Sequence, residues 1–483
     1  MIVLITVLVY FIVLLLLSRL VAGRGGNDVF FAAGRTSPWM LVAFGMVGAS
    51  ISGVTFIGVP GWVMTTGMTY LQMCLGFVVG YVVVAFVLLP LYYRLRLTSI
   101  YTYLLRRYGE VSYRTGSAFF IVNKVVGAAA KFYIVCRLLQ ECVSSAVEVP
   151  YAVVVAATLL LIWLYTRRGG MKTLVWTDAF QTLCLLAALV MLLMKAVDLL
   201  GVSWGEAARI VASDSMSRVF VLDDPVSRQY FWKQFVSGIF VVIVMTGLDQ
   251  DMMQKNLTCK NLRAAQKDMC SYGVLFVPVN FMLLALGILL VKLYGQYGME
   301  LPGKGDELLA GMVLGGKMGT ACVVLFAIGV VASAFSSVDS AMTSVTTSFC
   351  IDMLRKENDA STRKKVHVAF MMVFVVVTLI FDAIGSGSVI DTIYTLVAYA
   401  YGPLLGLFAF GMLTERRVRE KAVPWIAVAA PLLCVAVDYV AKEAAGYRFG
   451  YELLLLNGGL TFAGLWVFSF GKGKKIPEQV RQI

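Results

Sequence analysis

Apolar stretches recur along this chain, each at or near the roughly 20 residues that a helix needs to cross the hydrocarbon core of a bilayer. No other feature restricts the fold as strongly. A backbone surrounded by lipid has to satisfy its own hydrogen bonds, and a helix does so locally. Runs bounded by charges and by Gly or Pro give thirteen candidate spans: near 2–22, 39–64, 69–93, 116–146, 150–166, 174–198, 231–252, 271–296, 308–350, 366–385, 389–413, 422–441 and 450–471. The chain therefore reads as an all-α integral membrane protein of about 13 transmembrane helices. The runs 116–146 and 308–350 exceed one crossing and invite a break or an extension beyond lipid. Composition agrees, with 60% hydrophobic and 14% charged residues, against about 25% charged in soluble domains. A soluble enzyme, a secreted disulfide scaffold and a disordered regulator are excluded.

Charge sets the orientation. With the N-terminus outside, 28 of the 41 Lys and Arg residues fall in inward loops and the C-terminal tail, and 8 fall in outward segments. Positive charge gathers on the cytoplasmic side of membrane proteins, so the expected topology is N-terminus out and C-terminus in. The net charge of +13 then describes topology, and nucleic acid is not an expected partner. The first run is followed by Arg19 and Arg24, not by a small-residue cleavage site, which points to a retained helix. Short loops and a compact tail suggest a bacterial plasma membrane. His367 is the single histidine, which leaves little for metal-dependent or Ser/His enzyme chemistry. Gly311, Gly316 and Lys317 begin a phosphate loop, but Met318 stands where Ser or Thr must hold magnesium. ATP is not expected either.

Polar residues at membrane depth are costly and mark function. Ser333, Ser336, Ser337, Ser340 and Ser344 share one helical face, with Asp339 in the same region. Hydroxyls and carbonyls suit a small alkali cation; the alternative is close helix packing. Gly45 to Gly61 concentrates Gly, Ser and Pro in mid-span, which is poor helix chemistry. Such a segment can unwind and free carbonyls for cations, or simply pack tightly. Asp178 lies a few residues in from the inner surface, facing either inward or Arg167, Arg168 and Lys172. Asp249 and Gln250 face inward, while Asp251 is expected to reach solvent. Lys124 and Lys131 share a face and have no obvious acidic partner on their own helix, so they either pair across the bundle or meet an anionic solute.

Five elements in order resemble the sodium:solute symporters: Gly48-Ala49-Ser50-Ile51-Ser52-Gly53 with Phe56-Ile57-Gly58; Gly169-Gly170 with Trp176-Thr177-Asp178; Asp249 to Lys255; the serine stripe ending in Ile351-Asp352; and Ala400 to Gly406. The resemblance implies a broken-helix five-plus-five inverted repeat: a leading helix and inner loop (1–38), repeat one (39–198), repeat two (231–413) and two trailing helices (422–471). It implies sodium as coupling ion, held by the carbonyls of Gly48, Ile51 and Ser333 and the hydroxyls of Ser336 and Ser337. Some members bind a second sodium, and that site maps to Asp178, Ser336, Ser340 and Asp339, where those members carry Ser in place of Asp339. A second sodium, a proton and an internal salt bridge all stay open there. Substrate positions map to Ser50, Ser52, Thr55 and Asp249. Lys131 joins them, and the run Ser52-Gly53-Val54-Thr55-Phe56 together with Lys124 and Lys131 favours an anionic solute such as a monocarboxylate or a sialic-acid-like anion. A neutral solute or sugar is the alternative, and a passive channel is the rival of another kind.

Overall fold

The computed structural model describes residues 2–22, 26–144, 149–384, 388–447 and 449–472. Its main helices are α1 (Ile2–Ala22), α2 (Trp39–Ser50), α3 (Gly53–Thr66), α4 (Tyr70–Arg94), α5 (Glu110–Ser144), α6 (Tyr151–Gly169), α7 (Met171–Leu200) and α8 (Phe231–Gly247). They continue with α9 (Gln250–Asn256), α10 (Leu262–Gln296), α11 (Asp306–Leu314), α12 (Thr320–Met353), α13 (Ala360–Ile384), α14 (Ser388–Leu413), α15 (Val423–Ala445) and α16 (Leu453–Val467). A short antiparallel pair, β1 (Arg416–Val418) and β2 (Ser469–Lys472), joins the ends of the last two apolar helix pairs.

Among the described residues, nine helices are long and apolar enough to cross a membrane. Two further spans are bent: α2 meets α3 at 63°, and α8 meets α9 at 72°. Shorter apolar helices follow at Tyr399–Leu413 and Leu453–Val467. Every apolar run of the sequence falls on one of these elements. The run 308–350, which exceeds one crossing, is broken into two helices. Gly315, Gly316 and Gly319 separate α11 from α12, and the latter two have positive φ (76° and 81°), a conformation that glycine adopts without steric cost.

The bends follow from local chemistry. At Ile51 the backbone leaves the helix (φ −86°, ψ 84°), and Ser52 restarts it by accepting a hydrogen bond from the Thr55 N–H at 3.3 Å. A serine at this position satisfies one of the unpaired donors of a new helix. The second bend works similarly: the Asp249 carboxylate accepts from the N–H groups of Asp251 (2.8 Å) and Met252 (3.2 Å).

At the end of α12 a buried carboxylate gathers several elements. Asp352 accepts hydrogen bonds from Ser99 (2.8 Å), Tyr113 of α5 (2.8 Å) and Ser348 (2.5 Å). The neighbouring Ile100 N–H donates to Gln250 of α9 at 2.8 Å. The loop after α4 is thereby fastened to α5, α9 and α12.

Candidate cation and solute site

The two breaks differ in a way that decides which can hold a cation. At the second, the Tyr92 hydroxyl donates to the Gly247 carbonyl (2.8 Å) and the Tyr101 hydroxyl to the Leu248 carbonyl (2.9 Å). At the first, among the described residues, no N–H or hydroxyl is bonded to the carbonyls of Gly48 or Ile51. Both residues are buried, and buried carbonyls without donors are rare because leaving them so is costly. These oxygens are therefore free to ligate a hard cation.

The first break is pressed against α7 and α12. A Cβ built on Gly48 would stand 2.1 Å from Thr182 Oγ1, and one on Gly45 would stand 3.0 Å from Asp178 Cβ. One built on Gly53 would meet Ser333 Oγ and the Val330 carbonyl at 3.3 Å. Ser337 donates to the Ser333 carbonyl at 3.1 Å, and Ser336 donates to Asp178 Oδ1 at 2.7 Å. Gly48 is thus packed on α7, while Gly53, on the other side of the break, is packed on the Val330–Ser333 turn of α12. The donors expected to hold sodium are all neutral oxygens, which fits an alkali cation.

The expected second sodium set does not assemble in the same way. Asp178 Oδ2 lies 2.8 Å from the ammonium of Lys255, and both side chains are 2% exposed. The partner of Asp178 is therefore neither Arg167 nor Arg168 nor Lys172, and Lys255, counted above among inward loop charges, lies inside the bundle. Asp339 accepts a hydrogen bond from Tyr165 of α6 at 2.5 Å. Its Oδ1 and the Ser340 hydroxyl have no hydrogen-bond partner among the described residues. With an ammonium already on Asp178, these residues do not fit a second sodium.

The expected solute residues separate. Asp249 is fully engaged: Lys124 approaches both its oxygens at 3.2 Å, Tyr401 of α14 donates to it, and it caps α9. In this arrangement it anchors the break and has no oxygen free for solute. Asp251 is corrected as well, being buried and 2.8 Å from Lys124. The Ser50 hydroxyl is bonded to Tyr272 of α10, whose hydroxyl also accepts from Tyr81 of α4 at 2.7 Å. Ser52 and Thr55 bond each other at 3.0 Å. Lys131 differs from all of these. It is half-buried, and no acidic side chain among the described residues lies within ion-pair distance of it. It stands one turn along α5 from Val135, whose methyl is 3.3 Å from the Cβ position of Gly53. Of the two lysines, Lys124 thus pairs across the bundle, and Lys131 has no ion-pair partner among the described residues.

Sequence reasoning missed Lys255, Tyr165, Tyr272, Tyr401 and Thr182. The available signal was the cost of an isolated membrane carboxylate, which demands a partner without saying from which helix.

A bundle of apolar helices with two broken members and ionised side chains buried around the breaks defines a secondary transporter of the broken-helix class. The chain belongs to the sodium:solute symporter family, whose model matches residues 30–424. It is 27% identical over 410 residues to the sodium/iodide cotransporter of Homo sapiens, covering 80% of this chain and 62% of that protein. It is 24% identical over 421 residues to the sodium/sialic acid symporter NanT of Aliivibrio fischeri, covering 83% of this chain and 80% of that one. Its fold matches a substrate-bound, outward-open Na+-coupled sialic acid symporter with a TM-score of 0.83, at 18% identity over 99% of both chains. The expected all-α, broken-helix membrane fold is thereby established, and the chain spans 62% of the length of the first of these relatives.

Proposed function

We propose that this chain is a sodium-coupled symporter that imports a small organic anion by alternating access. The observation that carries the sodium assignment is the pair of donor-free carbonyls, Gly48 and Ile51, at a break packed on the Ser333–Ser337 turn. Sodium there would be held by the carbonyls of Gly48, Ile51 and Ser333 and the hydroxyls of Ser336 and Ser337. It would tie the broken helix to α12 and favour one conformation. Residues 39–198 and 231–413 act as two repeats in this reading, each opening on a bent helix, with the N-terminus outside and the C-terminus inside.

The anionic preference rests on Lys131, an ammonium with no ion-pair partner among the described residues, one helical turn from Val135, which approaches Gly53. Ser50, Ser52 and Thr55 lie at the same break and supply the neutral contacts. Because ion and solute favour the same conformation, each raises the affinity for the other by the same factor. The membrane potential adds about 2.3 kcal/mol per charge per 100 mV to the driving force.

Purified protein in proteoliposomes tests the reading. Uptake of radiolabelled lactate, iodide and sialic acid is measured with an inward gradient of sodium, potassium or choline. At least one anion is expected to accumulate only with sodium. Accumulation indifferent to the cation, or equilibration without accumulation, refutes sodium coupling.

A further inference from the structure

Lys255 is the residue whose position the reading above leaves without a purpose. It lies on the short helix after the second break, yet its side chain is 2% exposed. Its ammonium stands 2.8 Å from Asp178 Oδ2, while Ser336 donates to Asp178 Oδ1 at 2.7 Å. Asp178 packs directly on Gly45 of the broken helix, where a Cβ would stand 3.0 Å from the Asp178 Cβ. Asp339 stands one turn along α12 from Ser336 with its own donor, Tyr165. This corner thus has two carboxylates, one ammonium and a ring of hydroxyls. A buried cation with these neighbours has the charge and ligand chemistry of a bound alkali ion.

We propose that the Lys255 ammonium is a resident cation, filling the position beside Asp178 that a second sodium would take. A diffusible ion there would need the same carboxylate oxygen and would sit against an ammonium of like charge, in a site where solvent screens little. The transporter is therefore coupled to a single sodium, the one at the first break. The tethered ammonium supplies the electrostatic link between α9 and α7 that an exchangeable ion would otherwise make and break. This inference rests on the sodium reading of the first break and deepens it by fixing the number of ions.

The test counts sodium ions. Binding of 22Na+ to detergent-solubilised protein gives ions per chain, and the sodium gradient at which net solute flux reverses against a fixed solute gradient gives ions per solute. One ion is expected for the natural protein and for Lys255→Arg, which keeps the charge. Lys255→Gln frees Asp178, and two ions are expected, with the dependence of melting temperature on the logarithm of sodium concentration about twice as steep. Two ions in the natural protein, or one ion in folded Lys255→Gln, overturns the proposal. If Lys255→Gln does not fold, the count in the natural protein decides, and Asp178→Asn with Lys255→Gln, which removes both charges, is expected to bind one. A natural protein that binds no sodium refutes the coupling reading instead, so the two failures are distinct.

Discussion

The ammonium of Lys124 and the carboxylate of Asp251 lie 2.8 Å apart, joining the middle of α5 to the helix that follows the second break. Lys124 also serves Asp249. Removing it leaves two buried carboxylates side by side, and an uncompensated buried charge costs about 3–5 kcal/mol. Lys124→Met is therefore expected to lower the melting temperature sharply. Adding Asp249→Asn and Asp251→Asn to it should recover much of the loss. Thermal unfolding followed by tryptophan fluorescence checks both, and equal stability of the single and triple variants contradicts the assignment.

Gly48→Ala places a methyl 2.1 Å from Thr182 Oγ1 and 3.0 Å from Thr182 Cα. Overpacking of this kind costs about 1–3 kcal/mol. Moving α2 off α7 also displaces the free carbonyls. Half-saturating sodium is expected to rise about tenfold or more, equivalent to about 1.4 kcal/mol. Thr182→Gly in the same chain, which removes the obstructing side chain, should restore part of it.

Lys131→Ala should separate solute from sodium. Solute half-saturation is expected to rise by at least about tenfold, while sodium-dependent thermal stabilisation without solute persists. Lys131→Arg should keep anion binding but alter which anions are accepted, because guanidinium is a planar fork and ammonium a point charge. A Lys131→Ala protein with unchanged solute affinity removes the basis for an anionic substrate.

Ser337→Ala is the cleaner probe of the sodium ligands, since the Ser337 hydroxyl bonds only the Ser333 carbonyl. Ser336→Ala also strips a donor from Asp178. Each loss is worth about 0.5–1.5 kcal/mol, so the double variant should need about tenfold more sodium for half-maximal uptake. Unchanged sodium dependence would place the site elsewhere.

What the sequence revealed and concealed at this site has a physical pattern. The first break was legible because Gly48, Ser50, Ser52 and Gly53 are poor helix formers, and that information is local. The serine face of α12 was legible from periodicity for the same reason. Lys255 was concealed because its partner is 77 positions away, and a lysine beside an inward loop is otherwise indistinguishable from an orienting charge. Asp249 is assigned to the solute by the family resemblance, which carries no information about the other side chains that reach it. Its availability depends on Lys124 and Tyr401, which reach it from other helices.

The fastening at Asp352 bears on how this carrier can turn over. Among the described residues its carboxylate accepts from the hydroxyls of Ser99, Tyr113 and Ser348 and has no ion-pair partner, unlike Asp178, which is locked to an ammonium. In the alternating-access reading proposed above, parting of this face lets water take the place of Ser99, Tyr113 and Ser348 one at a time, so that the carboxylate is rehydrated as its hydroxyl partners leave. Such a clasp releases in small steps and re-forms without searching for a counter-charge, as repeated opening under a modest ion gradient requires.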